Sequence, residues 1–187
     1  MATKKKNYDI GSCYAFFKPA GGAEEIKLGH TNGGIAVKVS TETMEIEVDQ
    51  LMDPIDEIVT KRSITISVPL VDFTLENLQM AFCGSELVVD KTDTTKKKLV
   101  ISSVAGKSAR DGAGELRLHP VTATSDTDKS KDFFFPAAAP VSSDLEISYT
   151  KDGLKTIPLE FKAYPSEEVS YDGVSLVIGD PTATAEA

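Results

Sequence analysis

The sequence predicts a strand-rich fold with one short helix pressed against a sheet, and three observations carry that prediction. Ile64, Ile66, Val68 and Leu70 alternate with Thr65, Ser67 and Pro69, the period-two pattern of a strand with one face buried. Thr74 then offers a hydroxyl to the free amides of a helix starting at Leu75, with Glu76 in the first turn, where the helix dipole favours an acid. Leu75, Leu78 and Phe82 share one face, and Gly84 suits the left-handed residue that ends a helix. A helix over 74–83, about ten residues, is too short to persist alone in water, so its apolar stripe needs a sheet to cover it.

Composition sets the bounds. A chain of 187 residues, 41% hydrophobic, can bury one substantial core, expected over 10–178 with flexible arms at 1–9 and 179–187. Twenty basic against twenty-nine acidic residues leave a net charge of −9, which argues against wrapping nucleic acid. There is no apolar run of about eighteen residues, and the lysine-rich start lacks the apolar stretch of an export signal, so no membrane partner is expected. Cys13 and Cys83 make neither a disulfide framework nor a zinc site and are expected to be buried, reduced thiols.

Taken in order, a strand runs from Ile10 to Pro19, Gly21-Gly22 turns the chain, and a short strand fits Glu24 to Leu28. After the turn His30–Gly34, Ile35, Val37 and Val39 alternate. Met44, Ile46 and Val48 alternate again, opposite Glu45, Glu47 and Asp49, predicting a strand with one apolar and one acidic face. The stretch 50–59 is long and apolar for a hairpin loop. Leu51, Met52, Ile55, Ile58 and Val59 need a surface, either on the same domain or on another subunit. At Pro69, which cannot donate to a ladder, the organising strand should run out or lie on an edge.

Beyond the helix, Glu86–Val89 and Leu99–Ser102 read as strands joined by a charged turn, and Leu116, Leu118 and Val121 begin another. Phe133-Phe134-Phe135, running into Pro136 and alanines, reads as a bridging segment that plugs a core gap. Leu145, Ile147 and Tyr149, the turn Lys151-Asp152-Gly153, and Ile157, Leu159, Phe161 and Ala163 read as a hairpin, with a short strand at Val174–Ile178.

Candidate reactive groups are few. His30 and His119 have no ligand partners at metal-binding spacing, and no phosphate loop, nucleophile elbow or dinucleotide fingerprint occurs, so neither enzyme activity nor any cofactor or metal is expected. Glu45 and Glu47 could mimic a paired-carboxylate hydrolase, but the chain has no tryptophan to stack a sugar. What stands out is charge: from Val39 to Thr60 there are seven acids (Glu42, Glu45, Glu47, Asp49, Asp53, Asp56, Glu57) and no lysine or arginine. A solvated outer face explains that simply. Like charges stacked along a strand repel, however, and repelling a passing polyanion is one use for them.

The order of these parts resembles the tail tube proteins of long-tailed bacteriophages. The shared parts are an alternating strand pair, Met44–Val48 and Ile64–Leu70, joined by a long loop, then Val71-Asp72-Phe73-Thr74-Leu75-Glu76-Asn77-Leu78 and a short helix ending at Gly84. The likeness covers roughly residues 10 to 164. It implies a β-sandwich with a flanking helix whose sheets join, across six subunits, into a continuous β-barrel. The resulting rings stack into a tube around the DNA path. It further implies a virion protein, assembled in the host cytoplasm, with the tape measure, tail terminator and tail tip proteins as partners.

On this resemblance Glu45, Glu47 and Asp49, with Ser63, Thr65 and Ser67 on the neighbouring strand, would line the lumen and let DNA slide without exchanging counterions. The loop residues 51–59 would reach a neighbouring subunit. Two rivals differ in what they expect. A baseplate or type VI secretion relative would share fold and ring, whereas a monomeric immunoglobulin-like adhesion or decoration module would pack the 51–59 loop internally.

Overall fold

The computed structural model describes residues 11–82, 84–103, 105–106, 108–141, 146–147 and 151–183. Among the described residues the chain is mainly β and antiparallel throughout its named strands, with one α-helix. It runs β1 (Cys13–Lys18), β2 (Ile26–Lys27), β3 (Ala36–Ile46), β4 (Asp56–Leu70), α1 (Leu75–Ala81), β5 (Ser85–Val89), β6 (Lys97–Ile101), β7 (Gly114–Pro120), β8 (Phe133–Pro140), β9 (Ile157–Ala163) and β10 (Val177–Ile178). The main sheet is ordered β2-β1-β7-β8-β9-β4-β3, with β10 also on β8, while β5 and β6 form a separate hairpin.

The main sheet folds over on itself. β1 and β9 are three strand spacings apart, about 14 Å in a flat sheet, yet the rings of Phe17 and Phe161 pack with centroids 5.3 Å apart. The curvature is localised in β8, where the register against β7 shifts between the pairs Gly114↔Ala138 and Leu116↔Phe135. Two β8 residues near Pro136 thus face one of β7, a bulge that bends the strand. β8 also changes neighbours along its length. Phe133 and Phe134 pair with β10, and Ala138–Pro140 with β9. Ala15, Phe17, Leu116 and Leu118 from one limb and Ile64, Ile66, Val68, Leu159 and Phe161 from the other then share one core.

The organising strand and helix hold as expected. Ile64, Ile66, Val68 and Leu70 are buried, and Pro69 lies directly opposite Pro158 one residue before β4 ends, where neither proline needs to donate. The Thr74 hydroxyl accepts from the Asn77 amide at 3.1 Å. Leu78 is buried in the core, and Leu75 and Phe82 pack half-buried against it. The helix is shorter than 74–83: Thr74 caps it, Phe82 is already in extended geometry at its C-cap, and Gly84 takes φ +78° just beyond. Cys83 lies outside the described residues. Asn77 shares the buried face, donating through Nδ2 to the carbonyls of Asp72 (2.8 Å) and Leu28 (3.2 Å), which ties the helix to the chain on both sides of β3–β4.

Several sequence expectations need correction. The two alternating runs 35–39 and 44–48 are one strand, β3, which ends at Ile46, so Glu47, Val48 and Asp49 are loop. β4 starts eight residues before Ile64, so Ile58 and Val59 belong to a strand. Phe133–Pro140 is no bridging plug but the strand at which the sheet bends. The first strand of the expected 145–163 hairpin falls largely on residues outside the described set (142–145 and 148–150). β9 pairs with β4 along its whole length and with β8 at Phe161–Ala163, Glu146 and Ile147 are not in a strand, and Leu145 and Tyr149 lie outside the described residues. Local alternation marks a strand but not its partner, and here two long-range partners win. Residues 1–9 and 184–187 are outside the described residues. Residues 179–183 are anchored, with the Gly179 amide donating to Asp132 O at 2.8 Å and the Tyr171 hydroxyl to Pro181 O at 3.3 Å.

Candidate functional site

The feature that the core does not account for is the far half of the β3–β4 ladder. The two strands pair from Ala36↔Ser67 to Ile46↔Asp56, but every residue from 49 to 62 is exposed. Above Ser63 β4 is a core strand. Below it the pair continues as a two-stranded arm closed by the loop 47–55. An isolated hairpin is only marginally stable in water, and this one shows solvent Met44, Leu51, Met52, Ile55, Ile58 and Val59, each between 47% and 105% exposed. The five loop residues expected to seek a surface therefore share one arm, and they find none within the described residues of their own chain.

The anticipated lumen set does not share one surface. Directly paired residues project from the same face, so Ser63, Thr65 and Ser67 lie with Ser40, Lys38 and Ala36, and with Lys162 and Glu160 on the β9 side. Glu45 is an odd number of residues from Ser40 along an unbroken β3, which puts it on the opposite face, paired with Glu57. Beyond Ser40 that face continues through Glu42, Met44 and Ile46, opposite Lys61, Ile58 and Asp56, so the acids on it are Glu42 and Asp56 and not the anticipated Glu45. The ladder skips Thr60 between Glu42↔Lys61 and Thr43↔Val59, so β4 carries a bulge there that twists the arm relative to the sheet. Glu47 and Asp49 lie in the loop, off the strand altogether. Instead of one acidic, hydroxyl-rich wall the molecule has a hydroxyl strip flanked by charges of both signs, and a separate acidic arm.

The arm's charge is largely uncompensated. Glu42 pairs with Lys61 at 2.8 Å, and none of the other six acids forms an ion pair among the described residues. Glu45 faces Glu57 across the ladder, a like-charge pair that weakens the isolated hairpin.

Sequence reasoning missed a second polar constellation. Asp132 is fully buried; its Oδ1 lies 2.6 Å from His119 Nδ1 and its Oδ2 accepts from Arg117 Nη1 at 3.2 Å. Arg117 also donates from Nε and Nη2 to both carboxylate oxygens of Glu25, at 3.1 and 2.6 Å, and its guanidinium stacks 4.4 Å from the Phe16 ring. The hydrogen bonds from Arg117 hold the Glu25 carboxyl below its ordinary range, and those to Glu25 in turn raise Arg117. Period-two alternation in Glu115-Leu116-Arg117-Leu118-His119 put Arg117 and His119 on one face, but nothing in the sequence pointed to Asp132, thirteen residues past His119. With its charges mutually paired and its centre closed to solvent, this network fastens β7 to the β8 approach and to Glu25, the residue before β2; it presents no open face to a substrate.

No protein-family model and no curated protein matches the chain. Among the described residues no helix is long and apolar enough to cross a membrane.

Proposed function

We propose that this chain is a structural subunit that assembles with copies of itself through the β3–β4 arm, as the subunit of a phage tail tube whose stacked six-membered rings conduct DNA. The observation that carries the reading is the arm: a ladder extended well past its own core, apolar at its tip and flanks, and exposed throughout 49–62. Exposed apolar surface of this extent marks an interaction site. The free outer edge of β3 adds a row of unpaired backbone groups that a neighbouring sheet can complete, removing the edge in a closed ring. The resemblance described above supplies the choice of a tube among homo-oligomers, and with it the tape measure, terminator and tail tip partners and a place in the virion tail.

In this assembly the face opposite the core lines the DNA path at β3, β4 and β9, with Ser40, Ser63, Thr65 and Ser67 presenting hydroxyls. Lys38 and Lys162 against Glu160 leave one net positive charge on the same face, so passage rests on short neutral side chains and not on an acidic wall. The arms with Glu45 and Glu57 lie at subunit contacts. The adhesion-module alternative requires the 51–59 stretch to pack on its own domain, and each of its residues is exposed.

Negative-stain electron microscopy across a concentration series tests the proposal. Rings or tubes with a central hole are expected. Monodisperse monomers at every concentration, unchanged by adding a tail-tip complex, would refute it.

A further inference from the structure

The core face of β3 is not covered at the arm's base, and a trough opens there. A cavity of about 460 Å³ is lined by Cys13, Ile35, Val37, Val39, Leu118 and Leu176, among others. It continues past Val39, Leu176 and Ile178 into a second concavity that reaches Arg62. The trough is apolar, with Val39 and Ile178 half or more exposed. Its first chamber lies within the range of about 300–1,000 Å³ typical of filled binding pockets. No carboxylate lines either part, and Arg62, which forms no ion pair among the described residues, is the one permanently charged lining residue.

We infer that this trough is the receptor for the arm tip of a second copy of the chain. The tip has the complementary properties: Leu51, Met52 and Ile55 project to solvent, and six of the arm's seven acids form no ion pair among the described residues. An apolar trough free of carboxylates with an arginine at its end suits an apolar knob surrounded by acids. The chain's own tip cannot serve. Seven residues of unbroken strand separate Val39 from Ile46, about 24 Å, and the antiparallel ladder holds the tip away from the base. Knob and trough are different surfaces of one subunit, so the contact is heterologous, repeating head to tail until it closes a ring. The inference rests on the self-association reading and adds the acceptor site to it.

Cys13 makes the contact testable by cross-linking. Met52→Cys and, separately, Ile55→Cys are placed in a Cys83→Ser background; both positions are exposed, so folding is not at issue. Burial raises the Cys13 thiol, so mild oxidation is run at alkaline pH with a copper catalyst. The expected result is a ladder of covalent multimers on a non-reducing gel, abolished by Cys13→Ser. Rings that form but give no Cys13-dependent cross-link from either position would overturn the inference while leaving self-association standing. Absence of any assembly would remove both. Cys13 that resists alkylation in dilute monomers until residues 2–9 are deleted would show the chain's own N-terminal residues filling the trough, and would also overturn it.

Discussion

One strand, β4, passes through two environments, and the contrast between its halves defines the molecule. From Ile64 to Leu70 alternate residues are buried between 0% and 4% exposure, and the strand is hydrogen-bonded to β3 and β9. From Asp56 to Arg62 the strand continues with β3 as its lone partner among the described residues, and every residue is exposed. Ser63 divides them, and the ladder skips at Thr60, inside the exposed half. Hydrophobic residues occur in both halves. A buried apolar side chain in the first is held by its own chain, whereas Ile58 and Val59 in the second are exposed and covered by nothing among the described residues, a gap that the proposed contact between copies would fill. On the proposed reading, stability and assembly are carried by separate lengths of one strand, so that each should be open to damage without the other.

The strongest test of that division is in the buried half. Phe161 is fully buried, pairs opposite Ile66 and stacks on Phe17 across the fold of the sheet. Phe161→Ala removes the ring that joins the two limbs, and should cost about 3–5 kcal/mol of unfolding free energy. Urea titration of dilute monomer measures it, with assembly lost only as a consequence of unfolding. A loss below about 1 kcal/mol would mean that the limbs are not joined through this contact, and the curved-sheet core would need redrawing.

The same division explains what was readable in advance. The buried half of β4, the Thr74 cap and the β5–β6 pair were legible because each signal is local: alternation, a capping hydroxyl, a charged turn between two short apolar runs. β8 was not, because Phe134 and Phe135 are both buried, on opposite faces, so there was no alternation to read, and Pro136 sits where the strand bends. The 157–163 strand was found, but its pairing with β4 and β8 was not, since that pairing is decided by the whole core. At the candidate site, the need of Leu51, Met52, Ile55, Ile58 and Val59 for a surface was visible as apolar residues in a turn region. The face of the acids was not. It depended on the strand ending at Ile46 and on Ser40 standing opposite Ser63, a register that no local pattern reveals.

A smaller effect, dependent on pH, separates the domain's fastening from the arm's charge. Glu25 is held by Arg117, and its carboxyl titrates below the ordinary value of 4.5 in the folded chain. A depressed folded pKa means that the unfolded chain binds the proton more readily. The stabilisation is therefore complete well above pH 4.5 and is lost as pH falls from there through the folded pKa. Glu25→Gln should leave stability above that range slightly lower and flatten the acid limb of a stability–pH curve measured on monomer; partial exposure of the pair keeps the change small. Wild type and Glu25→Gln falling in parallel below pH 4.5 would place the acid sensitivity elsewhere in the molecule.

The smallest expected change in stability is the one that bears most on function. Ile58 is 47% exposed and lies opposite Met44 on the arm. Ile58→Thr keeps the β-branched geometry that a strand favours while replacing a methyl-rich end with a hydroxyl. Because no core of its own chain covers the side chain, unfolding free energy should shift by no more than about 0.5 kcal/mol. The concentration at which rings appear, read by light scattering and microscopy, should rise markedly, since on the proposed reading the residue is buried only in the contact between copies. The two measurements must diverge for the division of β4 to hold. If Ile58→Thr unfolds the monomer by more than about 1 kcal/mol, the arm belongs to the cooperative core. If it leaves assembly untouched, the apolar flank of the arm is not what brings the copies together, and the tip at Leu51–Ile55 must do so alone.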